Sequence, residues 1–289
     1  MLKLEPVRKT FDSENDFPFF IAYKDTKTPN RELPDHLHDW YEIVYVYQGK
    51  GTFFIDQNLF QAEQGDIITI PGNTIHRVIP TAENLITSTA IFFSPVLLQR
   101  SVFWDSHSYL RLFEEGKGLK NYRHRLEPKN RAQLELYIDQ LWEEEKEKHI
   151  DQRQMLALLL QQILLFLNRN CLKSEHVGHH NAGPVWINQV LDYIELNLEN
   201  ELELNNLAKI AAVSPAHFSR VFKKLIGMNV TEYITTKRII MAKNLLQEQK
   251  ENIALIAEQC GFNSMPHFYR TFKRLTSVTP AAYRSSFAK

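Results

Sequence analysis

One pattern occurs twice in this chain, fifty residues apart, and it limits the possible folds more than any other feature. Of the 289 residues, those from His217 to Tyr233 and from His267 to Tyr283 share His, Phe, Arg, Phe, Lys, Leu and Tyr at the same spacing. Farther upstream, Ile256 and Ala257 answer Leu207 and Ala208, an offset of forty-nine. One residue has therefore entered the second copy in a turn, where extra length costs little. Two copies cannot build a solenoid, which stacks about three or more.

Each copy reads as two short helices around a tight turn. In the first, Leu204, Leu207, Ala208 and Ala211 recur at helical spacing, Ser214 is a good N-cap and Pro215 fits the first helical position. On the helix that follows, Phe218, Val221, Phe222 and Leu225 form the inward stripe, and Ala216, His217, Ser219, Arg220, Lys223 and Lys224 fall outside. The second copy has Asn263 or Ser264 as cap and Phe268, Thr271, Phe272 and Leu275 inward. Its outward residues are Pro266, His267, Tyr269, Arg270, Lys273 and Arg274. This is a tandem helix-turn-helix, in which a second, basic-faced helix enters the major groove of double-stranded DNA.

These residues resemble the AraC/XylS transcription regulators. The resemblance spans about Glu203 to Arg284 and rests on the paired Phe-x-x-x-Phe-Lys-[Lys/Arg]-Leu helices, on Arg238-x-x-x-Ala242-x-x-Leu245-Leu246 between them, on Ile256-Ala257-x-x-Cys260-Gly261-Phe262, and on Thr279-Pro280-x-x-Tyr283-Arg284. Val230 stands where the family has Pro, which should alter the entry to the linking helix and little else. The resemblance implies a transcription regulator, an activator in preference to a repressor, with a separate sensing domain and RNA polymerase as a further candidate partner.

Charge agrees once the chain is divided. The 34 basic and 34 acidic residues cancel, yet from Asn205 to Lys289 there are 13 Lys and Arg against 4 Asp and Glu, so this part carries +9 and the rest −9. A basic end on an acidic body suits DNA binding joined to sensing or assembly. The two cysteines, Cys171 and Cys260, are far apart and lack metal spacing, which argues against a disulfide framework or a zinc finger. Residues 1–10 have no signal-peptide core, and the apolar run from Met155 to Leu167 is too short to span a bilayer, so a cytoplasmic protein without a membrane partner is expected.

Before the repeat, short β-branched and aromatic runs separated by turns predict strands at Phe19 to Tyr23, Leu37 to Tyr47, Thr52 to Asp56, Asp66 to Ile70, Ile75 to Ile79 and Leu85 to Phe93. Such a set makes a sandwich or barrel. Within it, His36-x-His38, Glu42 and Gly49, then Gly65, Pro71 and His76, resemble the cupin barrel, the second group more loosely because Pro71-Gly72 replaces Pro-x-Gly. The resemblance implies that His36, His38, Glu42 and His76 converge. They could bind a small-molecule effector, with a sugar the leading class and Tyr23, Trp40, Tyr45 or Phe54 lining the pocket. The same four could hold a divalent transition metal, since imidazole and carboxylate suit Zn, Fe, Mn or Ni, or they could be structural. No catalytic residue is assigned and no cofactor is expected beyond that candidate metal; the competing reading is a cupin metalloenzyme with a regulatory helical tail.

Glu127-Pro128 should open a helix to about His149, and a second helix, Asp151 to Asn168, is apolar almost all round. The second is expected to be the seam of a homodimer, broken by charges at Leu159 and Ile163. The tract Lys173 to Pro184, with His176, His179 and His180, reads as a polar linker, and Val230 to Gln247 as the helix joining the two copies. The expected architecture is a multidomain α+β chain. A cupin-like β-barrel (1–115) is followed by a helical dimerisation hairpin (116–172), a linker (173–184) and an all-α tandem helix-turn-helix domain (185–289).

Overall fold

The computed structural model describes residues 17–27, 39–80, 85–98, 107–172, 183–248 and 251–286. His36, His38 and nearly all of the expected linker lie outside these. Contacts divide the chain into two compact units, with the boundary between residues 182 and 183.

In the first unit, strands β1 (Phe19–Lys27), β2 (Tyr41–Gln48), β3 (Lys50–Ile55), β4 (Asn58–Glu63), β5 (Asp66–Ile70), β6 (His76–Pro80), β7 (Ile86–Phe93) and β8 (Arg123–Arg125) form two sheets. The larger is ordered β1-β7-β2-β5-β8 and the smaller β4-β3-β6, and neighbouring strands pair antiparallel. Strand β2 shows how one chain serves two cores, because successive side chains point to opposite faces. Val44 and Val46 join Phe53, Ile55, Phe60, Ile68 and Phe92 between the sheets. Ile43 and Tyr45 join Ile91 and Phe93 against helices α1 (His107–Gly118), α2 (Pro128–Lys146) and α3 (Gln152–Cys171). Buried on both faces, β2 is a near-continuous apolar run rather than an alternation. Gly49 turns the chain from β2 to β3 at φ +87, and a Cβ there would meet the Leu85 carbonyl oxygen at 1.9 Å, so only glycine fits.

Two expectations need correction here. Residue 115 marks no boundary: α1 runs through it, and α2 and α3 share one core with the strands. Nor is α3 an apolar cylinder waiting for a partner, since Leu156, Leu160, Ile163, Leu164 and Leu167 are buried within the unit. Ile163 is core, and a charge there would test stability rather than assembly. Among the apolar residues of α3, Met155 and Leu158 remain exposed.

The second unit is helical: α4 (Val185–Leu196), α5 (Leu204–Ile210), α6 (Pro215–Ile226), α7 (Val230–Glu248), α8 (Ile253–Gln259), α9 (Met265–Thr276) and α10 (Pro280–Ser285). Its spine is α7, which packs against α6 on one side of the repeat and α8, α9 and α10 on the other. Arg238 of α7 donates from Nε to the Leu198 carbonyl at 2.8 Å and from Nη2 to that of Asn200 at 2.7 Å, which ties down the chain after α4. Val230 leaves the start of α7 intact. Asn229 Oδ1 accepts from the Glu232 N–H and Glu232 Oε2 from the Asn229 N–H, each at 2.9 Å, a capping box that serves where α10 opens on Pro280.

Candidate nucleic-acid interface and sensor site

The two copies agree atom by atom where they are held. Ser214 Oγ accepts from the His217 N–H at the start of α6, and Ser264 Oγ from the His267 N–H at the start of α9, both at 3.3 Å. Of the two caps the sequence allowed, Ser264 is the one used. Each preceding turn has a residue in the left-handed region, Ala212 at φ 53 and Gly261 at φ 74. The N–H of Val213 then reaches the Ala208 carbonyl at 3.1 Å, and that of Phe262 the Ala257 carbonyl at 3.0 Å. At the far ends Gly227 (φ 92) and Ser277 (φ 67) close the helices by bonding Lys223 O and Lys273 O, each at 2.8 Å.

Fixed at both ends, α6 and α9 bury equivalent rings: Phe218, Phe222, Phe268 and Phe272 are each 0% exposed. The opposite face is the one the sequence marked. Ala216, His217, Arg220, Lys223 and Lys224 are exposed and Ser219 half-buried, while Pro266, His267, Tyr269, Arg270, Lys273 and Arg274 are all exposed. Arg270 donates from Nε to the Pro266 carbonyl of its own helix at 3.3 Å, which lays the side chain along the outer face. An exposed basic helix face with a rigid N-terminus is suited to a polyanion with a groove about one helix wide.

In the first unit the structure places two of the four expected sensor residues. Glu42 stands on β2 of the large sheet and His76 opens β6 of the small one, and their side chains meet at 3.1 Å between Oε2 and Nε2. Both are buried, so this polar link joins the two sheets inside the sandwich. His76 Nδ1 donates to the Thr74 carbonyl at 2.9 Å, since a carbonyl can only accept. That bond leaves Nε2 as the ring atom that faces Glu42. Sequence reasoning missed Thr74, and as a backbone acceptor it leaves no side-chain signal to find. Among the described residues no group of three or more His, Cys, Asp or Glu is arranged to hold a metal ion.

Two expected lining residues face elsewhere. Tyr45 donates to Glu135 Oε1 at 2.5 Å and Tyr23 to Asp139 Oδ1 at 2.7 Å, both on α2, because odd positions of β2 and the matching face of β1 point at the helices. Burial, and then the bond to Glu135, hold the Tyr45 phenol above its ordinary range. Trp40 does pack beside the core between the sheets.

Fold and faces together define a DNA-binding protein with a β-sandwich sensor unit. Family comparison gives the particular class. Residues 207–286 match the model of a helix-turn-helix domain, and residues 21–164 that of the AraC-like ligand binding domain. The chain belongs to the AraC family of transcription regulators. It is similar to the HTH-type transcriptional activator RhaR of Escherichia coli, with 24% identity over 257 residues, 89% of this chain and 88% of that protein. A solved AraC-type transcriptional regulator from Chromobacterium violaceum is 31% identical over 35% of this chain and 89% of its own, with a TM-score of 0.33. The DNA-binding domain of AdpA, solved with a target DNA, is 28% identical over 34% of this chain and 89% of its own, with a TM-score of 0.34. Among the described residues no helix is long and apolar enough to cross a membrane.

Proposed function

We propose that this regulator is a homodimeric activator whose sequence-specific DNA binding is controlled by a small molecule held between its two sheets. The observation that carries the reading is the pair of exposed basic faces on α6 and α9, set on helices with matching caps. Two heads built on the single helix α7 would meet successive major-groove segments about 10 base pairs, or ~34 Å, apart. Arg220 and Arg270, one turn into their helices, would hold guanine O6 and N7, and Lys223, Lys224, Lys273 and Arg274 would meet phosphates. Activation and a sugar effector follow the description of RhaR as an activator and the family resemblance, and RNA polymerase is the partner an activator needs.

The buried Glu42 and His76 supply the polar groups that would orient an effector in an apolar space. The same pair gives two donors to a divalent metal if His36 and His38 complete the set, and the bond from His76 Nδ1 to Thr74 is of the kind that orients a metal-bound imidazole. The exposed Met155 and Leu158 on α3 are the residues we assign to the dimer seam. A gel shift of the full chain on its own upstream DNA at fixed salt, with a metabolite screen and metal analysis, tests the whole. The expected result is a specific complex whose affinity one compound class changes, with the response lost in the His38→Ala/Glu42→Ala double variant. A normal response in that variant would move the effector site elsewhere, and absence of specific binding would overturn the DNA reading.

A further inference from the structure

The two heads share their N-cap serines, a left-handed turn residue and their buried phenylalanine rings, so the differences a bound partner would meet are those of the outer face. Three positions differ there: Ala216 against Pro266, Ser219 against Tyr269, and Lys224 against Arg274. The last keeps its charge and the first keeps its small apolar character. Tyr269 is the real departure. Apart from the two histidines it is the one aromatic side chain on either outer face, 38% exposed, where the first head has a half-buried Ser. Its ring stands edge-on to the buried Phe268, centroids 5.9 Å apart and planes at 85°, which anchors the base of the ring and leaves its rim in solvent. On the helix it lies three residues after Pro266 and four before Lys273, on the flank of the outward stripe that carries Arg270.

We propose that Tyr269 is a specificity residue: its ring packs on the 5-methyl group of a thymine in the DNA segment read by α9, so the two heads of one chain demand different sequences. Thymine alone among the four bases offers an apolar group in the major groove, and an aromatic edge is a surface that can cover it. Ser219 is too short to do the same from α6, so a thymine methyl should matter in one segment and not at the equivalent place in the other. The inference rests on α9 being a recognition helix.

The test is a methyl deletion. With the full-length protein and its selected operator, each thymine of both segments is replaced singly by uracil, which keeps pairing and removes only the methyl. One replacement in the α9 segment should weaken binding about fourfold, the worth of one buried methyl. Tyr269→Phe should keep that sensitivity and Tyr269→Ser should lose it, while Ser219→Tyr should create it in the other segment. The proposal is overturned if no single replacement has an effect, if Tyr269→Ser remains methyl-sensitive, or if Tyr269→Phe binds as poorly as Tyr269→Ser, which would assign the phenol to a phosphate. Arg270→Ala separates the two levels: unchanged base preference there would show that α9 does not read bases at all, whereas altered preference with no methyl effect would condemn Tyr269 alone.

Discussion

The two units place their charges in opposite ways. In the helical unit the basic residues of α6 and α9 all face solvent, and the buried ammonium groups, Lys237 and Lys243, sit on the spine helix α7, away from the outer faces. In the sheet unit the charged groups that matter turn inward. Glu42 and His76 pair between the sheets, and Asp66, 0% exposed, receives both Arg123 and Arg125 from the edge strand β8. Charge left outside on a rigid helix serves a large external polyanion. Charge taken inside costs desolvation and is kept where it fixes an arrangement. One unit is shaped to meet a partner and the other to hold an internal state.

The largest effects should come from breaking either core, and they should stay within their own unit if the two fold separately. Phe222→Ala should cost about 3–5 kcal/mol and Ile163→Ala about 2–5 kcal/mol, through lost burial and a residual cavity. Calorimetry of the full chain should show each variant lowering a different transition; one common shift would mean that the units unfold together. Next come the outer faces, where affinity should fall without loss of stability. Arg220→Ala or Arg270→Ala should cost roughly 1–3 kcal/mol of binding and relax preference within one segment. Lys223→Ala should weaken all sequences alike and lower the salt slope by about one. Binding-site selection with the Arg variants decides between base reading and a phosphate contact, the latter predicting an unchanged consensus.

The same contrast explains what could be read in advance. The helical unit is written in local signals: a cap, a proline, an apolar stripe and its repetition gave the starts of α6 and α9 and the span of α7 nearly to the residue, and the outer faces came with them. Strands such as β5 were legible as apolar runs between turns, but β4 and β8 were not. The sequence of β8 is Arg-His-Arg, which carries no apolar pattern, and it is a strand because Asp66 and Glu63 receive its arginines and Thr69 Oγ1 lies 3.0 Å from His124 Nε2. Those partners are about sixty residues away. The inward direction of Glu42 was legible from the resemblance, whereas the outward direction of Tyr45 depended on helices beneath a sheet that periodicity does not locate.

The caps test whether the agreement between the heads is energetic as well as geometric. Ser214→Ala and Ser264→Ala each remove a side-chain acceptor from an equivalent N–H at 3.3 Å. Each should cost ~1 kcal/mol of stability, and the two should be equal within error. The added residue before Ser264 is one local difference, and Met265 in place of Pro215 just after the cap is another. A clearly larger loss at Ser264 in chemical denaturation would show that the longer turn depends more on its cap, and that the repeat is less even than its coordinates.

The smallest effect belongs to the part-exposed ion pairs beside β8 and is read in acid. Glu63 holds Arg125 at 2.8 Å and Lys50 at 3.1 Å, and the hydrogen bond from Arg125 and then that from Lys50 depress its carboxyl from the ordinary 4.5 to about 2. A carboxylate depressed on folding adds stability that is fully present above its unfolded pKa and is lost as pH falls through the folded one. The window is therefore from about pH 4.5 down to about 2. Because the Glu63 side chain is 39% exposed, water screens the pair, and the contribution should be of the order of an exposed ion pair, ~0.2–1 kcal/mol. Thermal unfolding of the native chain and Glu63→Gln should differ by a constant amount above pH 5 and converge toward pH 2. Parallel curves across that range would show that Asp66, wholly buried between the same arginines, holds β8 without help from Glu63, and that the ionic tie of this strand is internal throughout.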